Sequence, residues 1–105
     1  MTLQELIPYL KNEQLLLRLY ELKGINPESE AILIYFKNYL SLENEITLFE
    51  IEKTDDNIEY VGNNEKFIQL MPITLATELI YKDFASLTDN LEIATRLINY
   101  AIYDA

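Results

Sequence analysis

The side chains able to do chemistry in this chain are mostly carboxylates, and they are concentrated in one stretch. Between residues 43 and 65 stand Glu43, Glu45, Glu50, Glu52, Asp55, Asp56, Glu59 and Glu65 against a single lysine, Lys53. Eight acids against one base leave that stretch with a net −7 of the chain's formal −10. The chain has no histidine and no cysteine. Ser-His-Asp and Cys-His catalysis are therefore excluded, as are His/Cys zinc sites and disulfides. Its two glycines, Gly24 and Gly62, are too far apart to build a phosphate-cradling loop.

Paired carboxylates are the one catalytic arrangement left to weigh. Glu50 and Glu52 alternate along a strand-like run, on one pleat face, with Glu59 within reach across a hairpin. Glycoside hydrolysis needs two such acids at a set separation in a cleft, one with a raised pKa. A short meander offers little cleft, so a solvated strand face is the expected reading and no catalytic residue is assigned. Asp55-Asp56-Asn57-x-Glu59 invites comparison with a calcium loop. Tyr60 stands where its glycine belongs and Lys66 where its terminal glutamate belongs. A polar turn is expected there, with no metal and no cofactor.

Eight tyrosines accompany the acids. Tyr35, Tyr39, Tyr60, Tyr81, Tyr100 and Tyr103 cannot all be buried without partners for their hydroxyls. Exposed tyrosines beside carboxylates suit an arginine-rich protein, through ring stacking and charge-assisted hydrogen bonds. The expected partner-binding residues are Glu43, Glu45, Glu50, Glu52, Asp55, Asp56, Glu59 and Tyr60.

Positioning these residues falls to elements legible in the periodicity. The fold class expected is α+β: a small antiparallel meander of three strands over about 46–71, or of four with 31–40 added. It is flanked by an N-terminal helical segment (2–23) and a C-terminal helix pair (72–85 and 89–103). Thr2 and Glu5 match a capping box. Pro8 lies too deep for an undisturbed helix, and Asn12 can cap a restart, so a kink or two short helices are expected up to Lys23. Gly24 is a natural stop.

Asn26-Pro27-Glu28 reads as a helix opening, although the run AILIYF from Ala31 to Phe36 has strand composition; helix is slightly favoured. Three strands follow: Ile46–Lys53, Ile58–Val61 and Lys66–Met71. Turns at Thr54–Asn57 and Gly62–Asn64 separate them. One sheet face should be packed and the other wet, with Glu50, Glu52 and Glu59 on the wet one. After Pro72, apolar residues recur at helical spacing (Leu75, Ala76, Leu79, Ile80, Phe84). A last helix opens at Asp89, and the pair should form a hairpin lying on the sheet.

At 105 residues the chain is read as one domain, 1–105. No apolar run approaches the ~18 residues of a membrane span, and the start lacks the basic flank of a signal peptide, so a cytoplasmic setting is expected. The acidic balance disfavours direct nucleic-acid and membrane binding and favours a basic protein partner. The function expected is a non-catalytic inhibitor that docks on such a partner, a toxin, nuclease or defence effector, as bacterial immunity proteins do. Two alternatives accompany it. One is a phage- or mobile-element-encoded nucleic-acid mimic acting on a host defence nuclease. The other is a structural or regulatory subunit whose helices pair with another chain, a second copy included.

Overall fold

The computed structural model describes residues 1–103. Thr2 accepts from the Glu5 amide while the Glu5 carboxylate reaches back to the Thr2 amide at 2.8 Å, and this box opens α1 (Leu3–Leu10). The Thr2 amide and hydroxyl hold the Glu5 carboxyl below its ordinary range. Pro8 has no amide to return to Gln4, and α1 ends two residues later. Asn12 Oδ1 then accepts from the Gln14 and Leu15 amides and starts α2 (Glu13–Lys23). Gly24, at φ 68°, closes it in the left-handed conformation.

The remaining elements are β1 (Ile32–Lys37), β2 (Ile46–Glu50), the single-turn α3 (Ile51–Thr54), β3 (Glu59–Gly62), β4 (Glu65–Pro72), α4 (Ile73–Lys82) and α5 (Asn90–Tyr103). The fold is α+β, with four antiparallel strands between N-terminal and C-terminal helices. Asp89 Oδ1 accepts from the Leu91 amide at 3.0 Å and so caps α5.

Three expectations are corrected. Residues 32–37 form the fourth strand allowed for at 31–40, not the slightly favoured helix. Asn26 does make the local bond of a cap, accepting from the Glu28 amide at 3.0 Å, but the bond closes a turn and the helix never starts. Ile32 to Phe36 are buried without a break, which a helix in a domain this small could not achieve on every side. A central strand covered on both faces can.

The strand order is β2-β1-β4-β3, so the sheet is not a meander. β1 pairs with β2 on one side (Ile34 opposite Leu48) and with β4 on the other (Phe36 opposite Ile68), and only β3 and β4 are joined as neighbouring strands through a tight turn after β2. A register shift between Ile34 and Tyr35 leaves Leu70 as an extra residue in β4. Leu70 and Met71 then both join the helix-side core.

Finally, α5 packs chiefly along α1, and α4 is the C-terminal helix that lies across β1 and β4. The main core lies between this helical layer and the sheet, with Leu3, Leu6, Ile7, Ile34, Phe36, Ala76, Ile93 and Leu97 wholly or almost wholly enclosed. A second, smaller cluster of Leu33, Tyr35 and Phe67 occupies the opposite face, with Phe49, Ile51 and Tyr60 packed on it. Both faces of β1 are therefore covered.

Candidate functional site

β2 and β3 are the two edges of the sheet, so the chain must cross β1 and β4 to pass between them. The connection, α3 followed by residues 55–58, makes this crossing over the second face. It is the heart of the acidic stretch. Its course is pinned from below. Tyr35 is wholly buried and its hydroxyl has one proton, which it gives to the Asn57 carbonyl at 2.6 Å. Its lone pairs are left for the Thr54 hydroxyl at 3.0 Å and the Gln69 amide at 3.2 Å. The Gln69 amide nitrogen also lies 3.2 Å from the Asp56 carboxylate. Among the described residues Thr54 and Gln69 are the buried polar side chains besides the tyrosines, and both are satisfied in this one network.

The turn itself needs residues that tolerate a left-handed backbone. Asp55 and Asp56 have φ of 53° and 59°. Asp and Asn enter this region more readily than other non-glycine residues. Two adjacent aspartates here are thus part of how the segment bends, whatever else they do.

The predicted partner-binding residues divide into groups. Glu50, Glu52, Asp55 and Asp56 gather along the end of β2 and the crossing segment. Glu50 accepts from the Asn26 amide at 2.9 Å, and Glu52 from the Ser29 hydroxyl, so both also tether the loop before β1. Glu43 and Glu45 lie before the opposite end of β2. Glu59 belongs to the far edge strand, 3.7 Å from Lys66. Tyr60 is half-buried, its ring edge-on to Phe49 with centroids 5.3 Å apart.

A shared wet face carrying Glu50, Glu52 and Glu59 is therefore corrected. Glu52 is not on the sheet, because the strand gives way to α3 at Ile51. Glu50 pairs with Ile32 on β1, and Glu59 with Ile68 on β4. Three inter-strand steps separate the edges, roughly 14 Å. A carboxylate pair across a hairpin does not form.

Within residues 43–65 the ion pairs involve Glu59 with Lys66 and Glu65 with Lys37 (3.0 Å). Among the described residues no salt bridge engages Glu43, Glu45, Glu50, Glu52, Asp55 or Asp56. Lys53 instead lies over the Phe49 ring, 5.5 Å from its centroid. A depression of about 250 Å³ beside Glu50 is lined by Lys23, Gly24, Ile25, Leu48, Phe49 and Lys53. Among the described residues no three acids converge as metal ligands would. Tyr39, Tyr81 and Tyr103 are exposed, while Tyr35 is consumed by the core.

Sequence reasoning missed Tyr35, Thr54 and Gln69 as the supports of the acidic segment. The available signal was Gln69, a polar residue inside the otherwise apolar half of KFIQLM. No protein-family model, curated protein or solved structure matches the chain. Among the described residues no helix is long and apolar enough to cross a membrane.

Proposed function

We propose that this is a non-catalytic binding protein that docks on and inhibits a basic partner protein, in the manner of an immunity protein neutralising a toxin or nuclease in the cytoplasm. The observation that supports this reading most is the crossing segment. Glu50, Glu52, Asp55 and Asp56 follow one another along it without a salt bridge among the described residues. A buried hydrogen-bond network holds the segment in place. Charges fixed on a rigid support lose little entropy when a cation meets them, and they steer its approach.

The test must remove charge without removing the bonds that hold loop and turn. Glu50→Gln, Glu52→Gln, Asp55→Asn and Asp56→Asn remove the charge but keep one acceptor oxygen at each position, and Asn suits the left-handed backbone at 55 and 56. The partner is identified by affinity purification from the native host, and its affinity for parent and fourfold variant is then measured across a salt series. Affinity is expected to fall by roughly tenfold or more, with a shallower salt dependence. Equal affinity and equal salt slope would remove the proposal.

A second reading, a subunit whose helices pair with another chain, is favoured by α2. Leu17, 47% exposed on it, lines an apolar groove of about 380 Å³ formed with α1 and α4, and Leu22, beside Arg18 and Glu21, is 84% exposed. Loss of a complex on Leu17→Glu, with the acidic variant unaffected, would move the choice to this reading.

A further inference from the structure

β3 ends the sheet without a cover, and we infer that its free edge accepts an extended, lysine- or arginine-bearing segment of the partner as a fifth antiparallel strand. This deepens the basic-partner reading and rests on it.

The two edges of the sheet are treated differently. β2 is closed at its start by the N-terminus: Thr2 bridges Glu45, and the Ile46 amide donates to the Met1 carbonyl at 2.8 Å. At its other end α3 begins at once. Among the described residues, β4 is the only strand β3 pairs with.

The register says which groups are free. The Gln69 amide donates to the Ile58 carbonyl at 2.8 Å, which marks that pair as a hydrogen-bonded one. Bonded and non-bonded pairs alternate along an antiparallel ladder. Tyr60 opposite Phe67 and Gly62 opposite Glu65 are thus the next bonded pairs. Glu59 and Val61 then turn both amide and carbonyl outward, away from β4.

Open edges are usually blunted by a cover, lysine or proline, or by short length and other charges. β3 is short and bears Glu59 but has no lysine or proline, and Val61 on it and Ile58 just before it are 65% and 67% exposed. Backbone groups that supply affinity beside apolar side chains that supply contact are what strand addition uses.

Charge selects the occupant. Asp55 and Asp56 lead directly into this edge and Glu59 lies on it. A second copy would bring its own −10, so self-pairing meets repulsion that a cationic strand does not.

The probe is a short, end-blocked peptide alternating lysine and threonine, titrated into the full chain and followed by NMR. The expected result is slowed hydrogen exchange at the Glu59 and Val61 amides. A peptide N-methylated at alternate residues keeps its charge but loses its donors, and should bind at least tenfold more weakly. Val61→Pro removes an outward amide only, as proline on an edge strand allows, and should weaken binding to a similar degree while melting remains cooperative.

Equal binding of the N-methylated peptide, or shifts without protection at Glu59 and Val61, would overturn the edge while leaving charge-driven docking intact. A dimer in sedimentation that Val61→Pro dissolves would overturn the choice of occupant. If the fourfold neutral variant binds the peptide as tightly as the parent, the basic-partner reading fails and this inference with it.

Discussion

The Tyr35 hydroxyl, in the middle of the central strand, donates to the Asn57 carbonyl at 2.6 Å and so joins the core of the sheet to the acidic segment above it. Tyr35→Phe removes the hydroxyl and leaves the shape. The Asn57 carbonyl loses its short donor and keeps only the Gln69 amide at 3.3 Å, and the Thr54 hydroxyl and Gln69 amide each lose an acceptor. Leaving such groups unsatisfied costs about 1–3 kcal/mol. Urea denaturation should show that loss, and amide exchange should accelerate selectively across Thr54–Ile58. Unchanged exchange in that segment would mean that Tyr35 does not hold it.

That relationship marks the boundary of what the sequence carried. The helices were legible because their signals are local: the Thr2–Glu5 box, Asn12, Gly24 and Asp89 each act within one turn of the chain. The strands after Ile46 were legible from composition and turns. The insertion of β1 between β2 and β4 was not, because no residue within a strand encodes which distant strand lies beside it. Asn26 misled for a related reason. Its bond to the Glu28 amide is real, but burial of Ile32–Phe36 on both faces outweighs it. The acids were found, but their grouping was misread, since extending pleat parity to Glu52 assumed a strand that stops at Glu50.

The two stop-and-start residues around α2 should be separately costly. Asn12→Ala removes the acceptor for the Gln14 and Leu15 amides, worth about 1 kcal/mol. Gly24→Ala meets no steric neighbour, but its φ of 68° is strained for any residue with a Cβ, again about 1 kcal/mol. Each should lower the urea midpoint without changing the slope. If Gly24→Ala is neutral, the left-handed closure of α2 is wrong.

Gly62 is constrained differently. A Cβ placed there would lie 2.9 Å from the Tyr60 ring, which folds along its own strand over the glycine. Gly62→Ala must therefore push Tyr60 away from Phe49, and a cost of about 1 kcal/mol is expected. In a Tyr60→Ala background the same change should be neutral or mildly stabilising, because the obstacle is gone and alanine leaves the unfolded chain less freedom than glycine does. A double-mutant cycle with no coupling would show that the ring does not occupy that space.

Tyr20 gives the fold an alkaline limit. It is 6% exposed at the floor of the groove between α2 and α4, and burial pushes its phenol from an ordinary 10.0 to about 12. Burial disfavours the phenolate, so the folded chain keeps the proton where the unfolded chain gives it up. The contribution is therefore fully present below pH 10, declines as pH rises from there, and is gone above about 12. Two units correspond to a loss on the order of 2–3 kcal/mol. The difference between parent and Tyr20→Phe isolates this one phenol and is the quantity to follow. Urea denaturation from pH 8 to 12 should show the parent losing stability relative to the variant. Parallel curves across that range would mean that Tyr20 is as accessible to hydroxide in the folded chain as in the unfolded one.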